Sequence, residues 1–255
     1  MRVLLAEDNR LERTILRAAV IRLGHTCVEV GDGDSAWDAF CRSTPDVIIS
    51  DWVMPGMQGP EFCRRVRGAA VDRPPYFILQ TMLTQREHVV QAGQAGVDAY
   101  LAKPVNIEDL AARLAVAERA LATRTATSSD GSLPTIGDES AVPIIDMNDL
   151  ADYRDSDGAP SDLLRELVQV FRDDTPVYLE ALQDANTRGD AEDLHRVVHT
   201  LKGSSSGIGA RQMYALCVEL ERTSTANAPR THALVEEVHA AFERALEALA
   251  RVIAV

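Results

Sequence analysis

Val47, Ile48 and Ile49 form an apolar run with no polar alternation, and the run ends just before Asp51. A run of this kind reads as a strand buried on both faces, which requires a sheet covered on both sides. Pro55, Gly56 and Gly59 make the following stretch a loop. A carboxylate at the carboxyl end of a buried strand sits where open α/β sheets place their ligand crevice. Taken alone, an aspartate there is usually the cap of the next helix. Three further features favour chemistry: acids at Glu7 and Asp8, a hydroxyl at Thr81 and an amine at Lys103, each ending its own strand-like run.

Those runs recur in a regular alternation. Val3 to Ala6, Thr26 to Val30, Val47 to Ile49, Tyr76 to Gln80 and Ala99 to Ala102 read as strands. Between and after them, Asn9 to Leu23, Gly33 to Ser43, Gly59 to Gly68, Gln85 to Ala95 and Asn106 to about Ala122 carry helical periodicity. Five strands alternating with five helices predict a parallel, doubly wound sheet with helices on both faces. Right-handed crossovers then bring Glu7, Asp8, Asp51, Thr81 and Lys103 to one edge.

Charge and cysteine content narrow the partners. A net charge of −13 disfavours nucleic acid or an anionic membrane as the main partner. The four cysteines form neither a CxxC pair nor a zinc spacing and read as reduced thiols of a cytoplasmic protein. MRVLLAED reaches acid too soon for a signal peptide, and no apolar run approaches the length of a membrane span.

Three carboxylates packed together repel one another, and a hard divalent cation such as Mg²⁺ relieves that conflict through oxygen ligands. With an ammonium and a hydroxyl beside one free carboxylate, the group suits phosphoryl transfer onto that carboxylate. AEDN, DWVMPGMQG, Thr81 and YLAKP, in this order, resemble the receiver domain of two-component response regulators over residues 1–122. The resemblance implies a flavodoxin-like fold with Asp51 as phosphoacceptor. It implies that Glu7, Asp8, Asp51 and the backbone carbonyl of Val53 hold Mg²⁺, and that Thr81 and Lys103 meet the phosphoryl oxygens. Tyr100 matches the aromatic that changes rotamer on activation in the family; read as a residue, it is equally a half-buried strand tyrosine. Met82 departs from the small residue usual after the hydroxyl, which bears on partner geometry or dephosphorylation rate.

Residues 123–144 are rich in Thr, Ser, Asp, Gly and Pro, lose periodicity and read as a flexible linker. Residues 145–255 are helical throughout. A short helix is expected over 145–153, a long one from Ser161 with a kink or fresh start at Pro176, then helices over 194–206, 209–223 and 230–253. Four amphipathic helices with short connections predict an antiparallel bundle. Within it, HTLKGSSSGIG places Lys202 and Gly203 three and four residues after His199, on one helical face. Glycine inside a helix costs about 1 kcal/mol relative to alanine, so the run calls for a reason. An exposed imidazole beside a bald surface would supply one.

This stretch resembles the histidine-containing phosphotransfer (HPt) domain. The resemblance implies that His199 carries phosphate, that Lys202 assists electrostatically and that Gly203 gives clearance. His195, one turn earlier, lacks a third partner for a metal and reads as a bystander. Together the two halves imply a phosphorelay protein of α/β plus all-α class, without kinase activity of its own, because no nucleotide-binding glycine loop is present. Its expected partners are a sensor histidine kinase, other receiver domains, or both. Pairing of two copies is left open. The alternative is a scaffold switched by phosphorylation, regulating a partner through docking of its domains.

Overall fold

The computed structural model describes residues 1–81, 95–122, 142–155, 158–223 and 228–254. The chain divides into two compact units, Met1–Thr135 and Ile136–Val255. The helix expected over 85–95, together with Met82, falls almost wholly outside the described residues, as does nearly all of the expected linker.

The first unit holds strands β1 (Arg2–Ala6), β2 (Thr26–Val30), β3 (Val47–Ser50), β4 (Tyr76–Thr81) and β5 (Ala99–Ala102). All pair in parallel, in the order β2-β1-β3-β4-β5. Helices α1 (Arg10–Arg22), α2 (Gly33–Arg42), α3 (Gly59–Gly68) and α4 (Ile107–Ala122) flank it. Successive strand residues point to opposite faces. Leu4, Ala6, Ile48, Phe77 and Leu79 therefore meet Phe40 of α2 and Phe62 and Val66 of α3. Val3, Leu5, Ile49, Ile78 and Leu101 meet Leu16 and Val20 of α1 and Leu110 and Leu114 of α4. Both faces are covered, which is why the central strands show unbroken apolar runs. The strand order reverses between β1 and β3, and the crevice at their carboxyl ends lies there.

The backbone ladder runs one residue beyond the strands and fixes the residues at that crevice. The amide of Glu7 donates to Val30 O (3.1 Å), that of Asp51 to Ala6 O (2.8 Å) and that of Lys103 to Thr81 O (3.0 Å). Thr81 closes β4 rather than following it. Asn9 caps α1, its Oδ1 accepting from the amides of Leu11 (3.0 Å) and Glu12 (3.3 Å). Gly59 opens α3 pressed against the Asp51 peptide: a Cβ there would lie 2.1 Å from Asp51 O and 2.7 Å from Leu79 Cδ1.

The second unit contains α5 (Asp162–Arg188), α6 (Ala191–Gly207), α7 (Arg211–Thr223) and α8 (Ala228–Ile253). Each packs against two others in a ring, α5 and α7 both lying between α6 and α8, which makes a four-helix bundle. Ser161 caps α5, and Gly189 ends it in the left-handed conformation (φ +68°). Asp190 caps α6 through the amide of Asp193 (3.0 Å). Phe171 and Phe242 pack at 5.4 Å between ring centroids in the core.

Two expectations change. α5 runs as one helix of 27 residues through Pro176, without a fresh start. Proline removes one backbone bond there, and the buried stripe of Val170, Phe171, Leu179 and Leu182 anchors the helix on either side. In place of a helix over 145–153 there is only a 3₁₀ turn, Ala151–Tyr153.

Gly59→Ala should lower the stability of the first unit by about 2 kcal/mol, because backbone and a packed leucine cannot both move aside. Gly68→Ala, which enters open space at the end of α3, should be neutral or stabilising by up to about 1 kcal/mol. Urea unfolding followed by tryptophan fluorescence reports this unit, since both tryptophans, Trp37 and Trp52, lie in it. Equal midpoints for the two variants would contradict the packing described.

Candidate functional site

The carboxyl ends of β1, β3, β4 and β5 bring together the residues singled out in the first half. Asp51 is only 1% exposed. Its Oδ1 accepts from the amide of Trp52 (2.7 Å) and lies 2.9 Å from Lys103 Nζ. Its Oδ2 is buried with no hydrogen-bond partner. Glu7 is fully buried; its Oε1 accepts from the Asn9 amide (3.3 Å), and its Oε2 from Gln80 Nε2 (3.1 Å) and Lys103 Nζ (3.0 Å). Asp8 is half-buried. Carboxylate oxygens of Glu7, Asp8 and Asp51 all lie within 4.8 Å of one another. Thr81 is buried at the end of β4. Val53 lies two residues past Asp51, its side chain against the core on the α2–α3 face, and Tyr100 packs half-buried on that same face.

Lys103 is the hub. Its ammonium has three protons to donate, and three carboxylates surround it: Glu7 and Asp51 as above, and Glu12 Oε2 at 2.6 Å. Burial alone would lower its pKa; Asp51, Glu12 and Glu7 outweigh that and hold it well above the ordinary lysine value. Among the described residues the acids stay in excess, with Glu7, Asp8, Glu12 and Asp51 set against the Lys103 ammonium. Burial, then the Asp51 charge, push Glu7 well above the usual carboxylate range, with Lys103 opposing. The same causes raise Asp8 to about 6. An all-oxygen set with surplus negative charge, in which Asp51 Oδ2 has no hydrogen-bond partner, fits a hard divalent cation such as Mg²⁺.

Sequence reasoning missed Glu12 and Gln80. Glu12 sits three residues after the cap Asn9, where an acid ordinarily belongs to the helix start. Gln80 had a clearer signal, as a polar residue inside a strand that is buried throughout.

In the second unit, His199 lies on α6. It is half-buried, not exposed as expected, and its Nε2 is shielded from solvent. Lys202 is buried (5% exposed) and pairs with Glu221 of α7 at 2.6 Å. Glu221 also lies 3.9 Å from His195 Nδ1. Gly203 and Ser204 to Ser206 are buried with it, so the small-residue run is largely an interior surface. Ser205 donates to Leu201 O at 2.6 Å, and small side chains let neighbouring helices approach closely.

The receiver-domain family of response regulators matches residues 3–115, and the Hpt-domain family matches residues 166–251. The chain is 30% identical over 233 residues to the sensory/regulatory protein RpfC of Xanthomonas campestris pv. campestris, covering 87% of this chain and 30% of RpfC. It is 28% identical over 263 residues to the virulence sensor protein BvgS of Bordetella pertussis, covering 97% of this chain and 20% of BvgS. The response regulator MprA of Mycolicibacterium vanbaalenii is 36% identical over 151 residues, covering 58% of this chain and 59% of MprA. The chain thus spans less than a third of the length of RpfC or BvgS. Among the described residues, no helix is long and apolar enough to cross a membrane.

Without metal, the acid cluster should weaken the first unit as pH rises. Asp8 releases its proton near pH 4 when unfolded but only at about 6 when folded. The penalty is therefore absent below pH 4 and complete above pH 6. In EDTA at pH 7, Asp8→Asn should stabilise by about 1–2 kcal/mol, the shift discounted for partial solvent access. At pH 4.5 the gain should fall to about a third. Urea midpoints at the two pH values check this, and a pH-independent gain would locate the effect elsewhere.

Proposed function

We propose, from the premise that this chain belongs to the receiver-domain family of response regulators through its first unit and to the Hpt-domain family through its second, that it is a phosphorelay protein whose phosphoryl carriers are Asp51 and His199. The observation that carries this reading is the orphaned Oδ2 of Asp51, held beside Lys103 and two further acids. An oxygen that burial has stripped of hydrogen bonds keeps its lone pairs available for a phosphorus atom.

In loading, Asp51 Oδ2 forms a bond to phosphorus as the bond from phosphorus to the donor breaks. A phosphohistidine donor leaves as imidazole and takes up a proton. Lys103 draws negative charge from the phosphoryl oxygens, and the Thr81 hydroxyl donates to one of them. Glu7, Asp8, Asp51 and the Val53 carbonyl would hold Mg²⁺, which when bound offsets the charge of acids and phosphoryl group together. Asp51 and Glu7 are held by backbone and side-chain bonds on the ladder, so the nucleophile is placed before the donor arrives.

On α6, the His199 imidazole exchanges the group with a receiver aspartate. Lys202 supplies the nearby positive charge, and Gly203 leaves the adjoining helical position without a side chain. We assign residues 1–122 to the receiver, 123–144 to a linker and 145–255 to the phosphotransfer domain. The partners in this reading are a sensor histidine kinase and other receiver domains, in the cytoplasm. The protein accepts and passes phosphate without binding ATP.

Incubation of the full chain with acetyl phosphate should label Asp51 with alkali-labile phosphate. Asp51→Asn should abolish it, and persistent labelling at an unchanged level would refute the assignment. Chelating Mg²⁺ should block loading while leaving the helical bundle folded by circular dichroism; normal loading in chelator would mean the acids hold no metal. His199→Gln should end exchange with a phosphorylated receiver domain. If the partner's activity responds to His199→Gln as it does to the unsubstituted chain, the chain is a phosphorylation-switched scaffold instead.

A further inference from the structure

We infer that Glu12 occupies, on Lys103, the place of an incoming phosphoryl oxygen, and thereby sets how readily Asp51 is loaded. The inference rests on the reading of Asp51 as acceptor. Lys103 Nζ lies within 3.0 Å of three carboxylates, Glu7 at 3.0 Å, Asp51 at 2.9 Å and Glu12 at 2.6 Å, which crowd its ammonium. A phosphoryl oxygen on Asp51 can meet Lys103 only if one of the three yields.

Glu7 cannot yield readily. It is fully buried and fixed by Gln80 and the Asn9 amide as well as by Lys103. Asp51 is the reacting group itself. Glu12 has the shortest approach of the three, 2.6 Å, and its side chain is 12% exposed against 0% for Glu7 and 2% for Asp51. It stands on the first turn of α1, with a flexible side chain at the outer side of the cluster. Swinging outward regains solvent for its carboxylate and clears the nearest oxygen from Lys103. The same carboxylate competes for Lys103 once Asp51 is phosphorylated, and so favours loss of the phosphoryl group.

The ordinary role of an acid at this helical position is to support the helix start. Glutamine serves that role nearly as well but lacks the charge that holds Lys103. Glu12→Gln therefore separates the two roles.

The chemistry followed in the test balances without a redox partner. An Asp51 Oδ2 lone pair bonds to the phosphorus of acetyl phosphate, the bridging P–O bond breaks, and acetate leaves with the electron pair. In hydrolysis, water attacks phosphorus, Asp51 leaves as carboxylate, and the water's proton passes to phosphate or solvent. The full-length chain with Mg²⁺ is loaded over a range of acetyl phosphate concentrations, then followed for loss of label after the donor is removed. Glu12→Gln should need about five-fold less donor for half-maximal loading, the size of one lost charge contact, and should hold its label longer. Beryllofluoride, a phosphoryl mimic read by Trp52 fluorescence, should bind the variant more tightly by a similar factor. Wild-type loading, lifetime and beryllofluoride affinity in Glu12→Gln would overturn the inference. Failure of the unsubstituted chain to label at Asp51 would instead overturn the acceptor assignment on which it rests.

Discussion

One ammonium group holds the first unit's crevice together. Lys103 Nζ touches carboxylates that follow β1, follow β3 and open α1, so a single charge joins three separate stretches of chain. Buried charges are tolerated only when paired, and removing one partner of such a set is far more costly than never having built it. Here the pairing is incomplete by construction. Among the described residues four acids face the Lys103 ammonium, and the raised pKa of Glu7 and of Asp8 expresses their burial and the repulsion left over. A chain optimised for stability would replace one of these acids with an apolar or amide side chain. Keeping all four trades stability for a standing affinity for positive charge, a conflict expected where a site must bind something.

Rigidity of the backbone is what lets the crevice bear that conflict. Glu7, Asp51 and Lys103 each continue the strand ladder by one amide bond, so their Cα positions belong to the sheet and not to the loops that follow. Gly59 closes against the Asp51 carbonyl, which also accepts from the Ser50 hydroxyl at 2.9 Å. The repelling carboxylates cannot relax by backbone drift. They can relax only by taking up protons, by binding a cation, or by rotating a side chain that has room to move.

The parts of this arrangement that were legible in the sequence are those set by short-range pattern. Val47 to Ile49 declared a strand covered on both faces, and the polar residues ending each run declared the crevice, because strand ends in a parallel sheet share an edge. Local pattern failed where packing decided. Pro176 reads as a kink or a fresh start, yet the buried stripe on both sides of it carries α5 through as one helix. Glu12 reads as a helix-start acid, and nothing in its neighbours in sequence shows that Lys103, far along the chain, lies beside it. The serine and glycine run after His199 reads as an open surface. Small residues can thin out a surface or admit another helix, and only the bundle's own geometry decides between these.

The two lysines assigned to phosphate chemistry share a physical situation. Lys103 rests against Glu12 and Lys202 against Glu221, each at 2.6 Å, and in both pairs the glutamate is the more exposed partner: 12% against 3%, and 26% against 6%. Desolvation makes the two ends of each pair unequal. The lysine cannot leave without carrying its charge through protein, whereas the glutamate can withdraw towards water at small cost. Each cation therefore stays in place while its partner is exchangeable, and an anion of comparable charge arriving from solvent needs only to displace the outer member. Pairing of this polarity keeps a buried lysine charged and positioned without committing it permanently to one carboxylate.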